Sequence, residues 1–452
     1  MIYAQHALLG AEWARDVRVT VRAGTITGVE RNVPPLPGDV RVDTLLPAPA
    51  NLHSHAFQRA MAGRTEFRKA GRDSFWTWRE VMYRFVDRLT PEQIEAIAAF
   101  AFMEMQEAGY AAVGEFHYLH HQRGGAPYDD RAELSCRIMA AAQQTGIGLT
   151  HLPVLYSYGG AGRVPLEPGQ LRFGNDVAAF LDLTAAARTA LRDLPKDARI
   201  GLAPHSLRAT APEDLRTVLA AHDSGPIHIH AAEQPAEVAA IEAWLGQRPV
   251  AWLLDQAGVN PDWCLIHATH MTPDETRRLA ASGATAGLCP VTEANLGDGP
   301  FNGAAYLRAG GGFGLGTDSN IAISLFGELR ILEYSQRLRD LARNVLIAGE
   351  GSVGQTLYIG AARGGAQALG RKAGVIATDH LADLVAIDST HPSLCALPRA
   401  QILDGLVFAC ESNAVTDLWS AGRHAVKAGR HIARAPITAA WRAAIAALTT
   451  AA

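Results

Sequence analysis

The chain has 452 residues, more than a single core usually organises, so we expect one large domain with a smaller companion. Its apolar content of 48% and charged content of 19% are typical of a globular protein and exclude a disordered one. A formal net charge of −4 without a polybasic stretch argues against nucleic acid as a partner. No membrane partner is expected either, because the sequence shows neither a signal peptide nor an apolar run long enough to cross a bilayer.

The cysteines indicate the redox compartment. There are five, widely spaced and without a Cys-x-x-Cys pair. This pattern favours buried, reduced thiols, so we expect a cytoplasmic protein.

Both ends of the chain carry short β-prone segments. Residues 2 to about 46 alternate such segments with Gly and Pro, which predicts small antiparallel strands, for example at 17–21 and 24–29. Short strands are predicted again at 382–388 and 425–427. The simplest interpretation is that the two ends pair into one small β-sandwich subdomain.

Between the ends, apolar strands alternate with helical patterns. Eight strands are predicted, at 45–53, 111–118, 147–155, 199–205, 226–231, 263–267, 284–290 and 312–318. Two of the predicted helices, 91–106 and 273–282, open with a threonine N-cap, a proline and a capping-box Gln or Glu. A βα unit repeated eight times predicts an α/β fold, a (β/α)8 TIM-like barrel.

This pattern predicts three parts of the chain. Residues 1–46 form the first part of the β subdomain, and 47–345 form the barrel. Residues 346–452 contain a helical return and the second part of the β subdomain.

Histidines follow the first predicted strand. His53 and His55 are two residues apart, so in a strand both imidazoles lie on one side and can reach one metal ion. The alternative is two unrelated polar residues after a buried strand. Other strands also end in ligand-type residues: His230, His267 and Asp318. Such residues at several strand ends are what a metal site at a barrel mouth needs.

Three neutral imidazoles and one carboxylate are enough to hold a zinc-like ion, with a position left for water. Such an ion lowers the pKa of bound water toward ~7. Glu233, three residues after His230, is then placed to carry a proton, and His267 or Asp318 to orient the water.

Other histidines have less specific interpretations. His228 shares a strand face with His230 but lies one layer deeper, so we expect it to pack in the barrel. His270 lies past the end of its strand. A cluster at His117, His120 and His121 resembles a second metal site, but we expect it to be a solvated loop.

The strand-end pattern, with no Lys after the fourth strand, resembles the amidohydrolase superfamily in its mononuclear deaminase branch. Longer segments are similar to the formimidoylglutamate deiminase family of histidine degradation. These segments are 51–60, 74–79, 115–118, 203–208 and 289–299.

The resemblance implies a hydrolase that converts N-formimino-L-glutamate and water into N-formyl-L-glutamate and ammonia. It implies one divalent metal ion, Zn²⁺ or Fe²⁺, held by His53, His55, His230 and Asp318. It makes Glu233 the proton carrier, His267 the group that polarises water or intermediate, and Asp318 part of the catalytic set. The substrate-binding residues it implies are Gln58, Arg79, Tyr118, His205 and Arg208.

Two features bear on specificity. A dicarboxylate substrate calls for guanidinium groups, and Arg79 and Arg208 are available, with Arg208 the better placed because it closely follows a strand. Asn320 stands where many members of the family have His, and we expect it to touch the substrate or the surroundings of the metal.

Two alternatives remain open. One is a deaminase of the same fold acting on an aminopurine, pyrimidine or triazine, and the other is a metal-binding protein that has lost catalysis. Glu233 argues against the second, because a structural metal site has no use for a nearby proton carrier. A homodimer is expected only because symmetric dimers are the commonest oligomers.

Overall fold

The computed structural model describes residues 1–67, 74–347, 349–411 and 414–450. Its strands are β1 Ile2–Leu9, β2 Glu12–Arg22, β3 Thr25–Glu30, β4 Val40–Pro47, β5 Ala50–Ser54, β6 Ala112–His117, β7 Gly148–Leu155, β8 Arg199–Ile200, β9 Ala203–Pro204, β10 Ile227–Ala231, β11 Trp263–His267, β12 Thr285–Leu288, β13 Gly312–Leu315, β14 Leu384–Ile387, β15 Val415–Ser420, β16 Arg423–Lys427 and β17 Arg430–His431. Its α-helices are α1 Phe75–Val86, α2 Pro91–Glu107, α3 Glu133–Thr145, α4 Val177–Ala190, α5 Pro212–Ala220, α6 Pro235–Leu245, α7 Pro249–Gln256, α8 Pro273–Ser282, α9 Pro290–Leu296, α10 Gly303–Arg308, α11 Leu325–Asp340, α12 Val353–Ala368, α13 Ile402–Phe408 and α14 Arg434–Thr450.

The central sheet is the predicted TIM-like barrel. Its parallel strands run in the order β10-β11-β12-β13-β5-β6-β7-β8, and β9 pairs with β7. Hydrogen bonds from Leu202 N to Pro226 O and from His228 N to Leu202 O join the β8–β9 segment to β10 and close the ring. Parallel strands place all their carboxyl ends at one mouth of the barrel.

The first and fourth predicted strands differ from the structure. The prediction at 45–53 merges two strands, because Pro47 ends β4 and Pro49 separates it from β5. Proline lacks the amide hydrogen that a continuous ladder needs. The fourth prediction is likewise divided into the short β8 and β9.

The chain ends form the predicted subdomain. Its strands make one sheet in the order β17-β16-β15-β14-β4-β1-β2-β3, in which β1 and β4 pair in parallel rather than antiparallel. The sheet curls over a core of its own, and the turn at Gly24 contacts the turn at Ala421. The predicted division into 1–46, 47–345 and 346–452 stays a prediction. Residues 68–73, 348, 412–413 and 451–452 of these segments lie outside the described residues.

Helix starts follow the sequence closely. The Thr90 and Thr272 side chains accept hydrogen bonds from the backbone amides three residues later, and both capping boxes are complete. Helix α2 ends one residue beyond the predicted 91–106, and α8 has the predicted bounds. After α12, Leu369 packs with Leu52 and Ile266 inside the amino-terminal end of the barrel. Within the described ranges, no helix has the length and apolar character of a membrane span.

Candidate active site

The ends of β5 and β13 bring three predicted metal ligands together. Asp318 N donates to His53 O, and His55 N donates to Asp318 O, each at 2.9 Å, so pairing continues beyond the two strands. Asp318 Oδ1 lies 3.5 Å from His53 Nε2 and 3.3 Å from His55 Nε2. From the end of β10, His230 Nε2 lies 3.1 Å from His53 Nε2. All four side chains are buried.

The imidazole nitrogens of this group suit a cation. His55 Nδ1 lies 2.9 Å from Phe116 O, and His230 Nδ1 lies 2.9 Å from His205 O. A carbonyl oxygen only accepts, so both Nδ1 atoms carry the proton and both Nε2 atoms present lone pairs. The two Nε2 atoms carry no hydrogen in this tautomer, so His55 Nε2, which lies beside the Asp318 carboxylate, cannot donate to it. These two nitrogens, together with His53 Nε2 and one carboxylate oxygen, match the donors of a zinc-type site.

The strand ends are held in an unusual backbone conformation. Asp318 and Asn320 have φ of 48° and 55° in the left-handed region, as do Ala232 and His267 at the ends of β10 and β11. The Asn320 side-chain amide donates to His55 O and to Asp318 O at 3.2 Å and 3.1 Å. Asn320 is fully buried and braces the backbone of the predicted ligands His55 and Asp318. The expectation that it touches the substrate or the surroundings of the metal stays a prediction.

Glu233 and His267 face each other beside the cluster. His267 Nε2 lies 3.8 Å from Glu233 Oε1 and 3.9 Å from Asp318 Oδ2. Burial raises the pKa of Glu233 to about 7, against the lowering effect of His267 and Arg208. Burial lowers the pKa of His267, but nearby carboxylates, Glu233 foremost, outweigh it and raise this pKa to about 10. A carboxyl group with a pKa near neutrality can both take up and release a proton at the same pH.

A pocket of about 560 Å³, counting its open mouth, lies above the cluster. The predicted substrate-binding residues all line it: Gln58, Arg79, Tyr118, His205 and Arg208. Gln58 donates to the Tyr118 hydroxyl at 2.7 Å. The Arg79 guanidinium carbon lies 4.7 Å from the Trp76 ring centroid, a cation–π contact. Phe75 and Trp78 of the same aromatic stretch line the pocket.

Arg208 lies between two acidic side chains. It is 9% exposed, and its Nη2 lies 3.6 Å from Glu233 Oε2. Its Nε lies 4.0 Å from Glu237 Oε2, too far for a hydrogen bond, and has no acceptor among the described residues. The buried guanidinium therefore has donor capacity left for an anionic ligand in the pocket.

Three buried residues near the site were missed by the sequence interpretation. Glu293 accepts from His267 Nδ1 at 3.2 Å, and Glu237 accepts from Glu233 N at 3.0 Å. The thiol of Cys289 lies within 4.8 Å of ligand atoms of His267 and Asp318. Glu237 stands four residues after Glu233 in the first turn of α6, a local signal that could have been noticed. Glu293 lies in the family-like segment 289–299, but its contact with β11 is made only in the folded barrel.

The remaining histidines behave in different ways. His228 is buried beneath His230 with its Nε2 2.6 Å from Ala368 O, as expected for a packing residue. The expected solvated loop at His117, His120 and His121 is wrong, because all three are at most 8% exposed. Their buried positions follow from packing behind β6 and β7, where His120 Nε2 lies 2.9 Å from Val154 O.

Comparison with family models and curated proteins agrees with this geometry. Residues 44–425 match the Amidohydrolase family, and residues 1–43 match the formimidoylglutamate deiminase amino-terminal domain. The chain is 49% identical over 433 residues to the formimidoylglutamate deiminase of Pseudomonas aeruginosa, which covers 95% of each chain. It is 27% identical over 409 residues to a 5-methylthioadenosine/S-adenosylhomocysteine deaminase of Haloarcula marismortui, covering 88% of this chain and 86% of that one.

Solved structures show the same architecture. A crystal structure of an amidohydrolase from Brucella melitensis superposes with a TM-score of 0.95 at 47% identity, covering 99% of both chains. An adenosine deaminase from Xanthomonas campestris, described with bound zinc, superposes with a TM-score of 0.81 at 23% identity, covering 99% of this chain and 98% of that one. The second likeness concerns the fold alone. The chain is a hydrolase that belongs to the formimidoylglutamate deiminase family within the amidohydrolase superfamily.

Proposed function

We propose that the protein hydrolyses N-formimino-L-glutamate to N-formyl-L-glutamate and ammonia. The observation that carries this proposal is one pocket that joins a metal-ligand cluster to two guanidinium groups, Arg79 and Arg208. The cluster suits hydrolysis of a carbon–nitrogen bond, and paired guanidinium groups suit a substrate with two carboxylates. The 49% identity to a formimidoylglutamate deiminase supports the same reaction.

The four proposed metal ligands are His53, His55, His230 and Asp318. Their nitrogen and oxygen donors suit Zn²⁺, and Fe²⁺ suits the same set. When bound, the divalent ion lowers the pKa of water so that hydroxide is available near neutral pH.

Glu233 is the proposed proton carrier. The water oxygen adds to the formimino carbon, and the first proton moves from that oxygen to Glu233 and then to the imino nitrogen. The second proton follows the same path as the carbon–nitrogen bond breaks, so that ammonia leaves and the oxygen remains as the formyl carbonyl. His267, 3.8 Å from Glu233, holds its Nε2 beside the reacting oxygen.

The remaining pocket residues bind the glutamate part of the substrate. Arg208 and Arg79 bind carboxylates, and the Gln58–Tyr118 pair and His205 supply further hydrogen-bonding groups on the same wall. Aromatic rings also line the pocket, and a deaminase acting on a ring substrate would use such rings for stacking. The 5-methylthioadenosine/S-adenosylhomocysteine deaminase of Haloarcula marismortui is only 27% identical to this chain, which favours a linear amidine as the substrate.

Ammonia release on N-formimino-L-glutamate, with metal analysis of the same sample, tests the proposal. We expect turnover with one divalent ion per chain and none with guanine or cytosine. Turnover of a ring substrate alone would support the alternative deaminase. Bound metal without ammonia from any amidine or amine would support loss of catalysis.

Three further proposals accompany this function. A role in histidine degradation follows from the proposed substrate. The thiols of Cys136, Cys264, Cys289 and Cys395, which form no disulfide, support a cytoplasmic location. A homodimer is proposed from the general preference for symmetric pairs and is tested by light scattering.

A further inference from the structure

The family-like segment 289–299 after β12 has no role in the proposal above, yet it reaches the reaction centre. Glu293, in the first turn of α9, is 4% exposed. Its Oε1 lies 3.2 Å from His267 Nδ1. The contact crosses from the seventh barrel strand to the sixth.

This contact fixes how the imidazole is presented. A carboxylate oxygen accepts, so the proton of the shared hydrogen bond lies on His267 Nδ1. The ring then directs Nε2 toward Glu233 and Asp318, at 3.8 Å and 3.9 Å. His267 is the last residue of β11, where it pairs with Ala231 of β10, and its φ of 67° turns the chain out of the strand at this point. The hydrogen bond to Glu293 then fixes its ring at Nδ1.

Glu293 is itself held on two sides. Its Oε1 also accepts from Cys289 N at 3.0 Å, which ties the carboxylate to the start of its helix. The helix is anchored separately, because Glu328 accepts from Val291 N at 2.8 Å. A carboxylate with a fixed backbone and a second hydrogen bond is a rigid support for a partner ring.

We propose that Glu293 is a positioning residue that holds the His267 imidazole in the orientation that hydrolysis of the formimino group requires. The proposal rests on the proposed function for its kinetic test. It goes beyond that function because Glu293 touches neither the metal ligands' donor atoms nor the substrate-binding side chains named above.

The kinetic test compares Glu293→Ala, Glu293→Gln and Glu328→Ala. Loss of a partner that orients a metal-ligating histidine typically costs about 10- to 100-fold, and we expect the same range for His267 beside the site. Glu293→Ala should therefore lower kcat about 10- to 100-fold with KM and metal content unchanged. Glu293→Gln should keep most of kcat, because its side-chain oxygen can accept from both His267 and Cys289. Glu328→Ala removes the other anchor of α9 and should keep kcat.

Three kinetic outcomes would overturn the proposal. Unchanged kcat in Glu293→Ala would show that the contact between Glu293 and His267 does not contribute to turnover. Equal losses in Glu293→Ala and Glu328→Ala would show that helix α9, not His267, was disturbed. A loss in Glu293→Gln as large as in Glu293→Ala would show that charge, not orientation, is what Glu293 supplies.

A spectroscopic measurement separates this proposal from the proposed function. In ¹⁵N-histidine-labelled enzyme, the Nδ1–H signal of His267, assigned with His267→Asn, should shift in Glu293→Ala and stay in Glu293→Gln and Glu328→Ala. This readout holds even if N-formimino-L-glutamate is not turned over. An unshifted signal in Glu293→Ala would overturn the proposal by itself.

Discussion

Two buried charged clusters lie at opposite ends of the barrel and are built in opposite ways. At the amino-terminal end, the fully buried Arg371 pairs with Asp197 and Asp383 at 3.2 Å and 3.0 Å, and Arg423 adds an ion pair to Asp197 at 2.7 Å. At the carboxyl-terminal mouth, ligand nitrogens face one another, and His53 Nδ1 has no partner among the described residues.

The difference separates stability from function. A buried ion is costly unless it is paired, so a cluster that serves only the fold satisfies every charge from within the chain. At the mouth, some side-chain donors and acceptors stay available for ligands. The left-handed backbone at Asp318 and His267 helps to hold these side chains in position. Changes at the mouth should therefore remove activity, and changes at the base should remove stability.

The largest effect is expected from the metal ligands. Asp318→Ala and His230→Ala should lose the bound metal and with it essentially all activity, while His228→Ala, one layer deeper, should keep the metal. Metal content after dialysis decides this. Full occupancy in the Asp318 variant would refute the proposed coordination.

Glu233→Gln should keep the metal but lower kcat about 10²- to 10⁴-fold, the usual contribution of a positioned acid–base group. The measurement is ammonia release at matched metal content. Loss of metal together with activity would make Glu233 a ligand and not a proton carrier.

At the base, Arg371→Met should lower the free energy of unfolding by about 3–5 kcal/mol, because it leaves Asp383 buried without its arginine and takes one of two arginine partners from Asp197. Chemical denaturation measures this change. Arg423→Met, at a partly exposed position, is the matched control and should cost less. If Arg371→Met lost its metal while remaining fully folded, the separation of stability at the base from function at the mouth would be contradicted.

Arg208→Met should lower kcat/KM roughly 10- to 150-fold, since a hydrogen bond to a charged group contributes ~1.5–3 kcal/mol. Metal content and thermal stability should stay close to those of the parent protein. A formimino substrate without the matching carboxylate should lose much less. Equal losses on both substrates would show that Arg208 maintains the pocket's shape.

At neutral pH the smallest effect is expected at His151, which belongs to neither cluster and whose contribution changes only in acid. Burial lowers the pKa of His151 to about 3, so the folded state keeps it neutral while the unfolded state takes up a proton below about pH 6.5. Its contribution to stability is present above pH 6.5 and is lost as the pH falls toward 3. His151→Gln should therefore show a shallower decline of unfolding free energy over this range. An unchanged slope would mean that His151 does not titrate there.

Sequence patterns alone predict the eight βα units, the helix starts at Thr90 and Thr272, and the strand-end positions of the proposed metal ligands. Each of these depends on local information: strand periodicity, capping chemistry, or spacing within one strand. The family resemblance added the residues of the substrate pocket, because their motifs are long enough to match without a structure.

Other features depend on contacts between segments that are far apart in the chain. The break between β4 and β5 at Pro47 depends on which sheet each half joins, and the burial of His117 depends on what packs behind β6. The contact between Glu293 and His267 joins two different strand ends and leaves no local trace in the sequence. Such features depend on which residues become neighbours, and that is fixed only when the barrel closes.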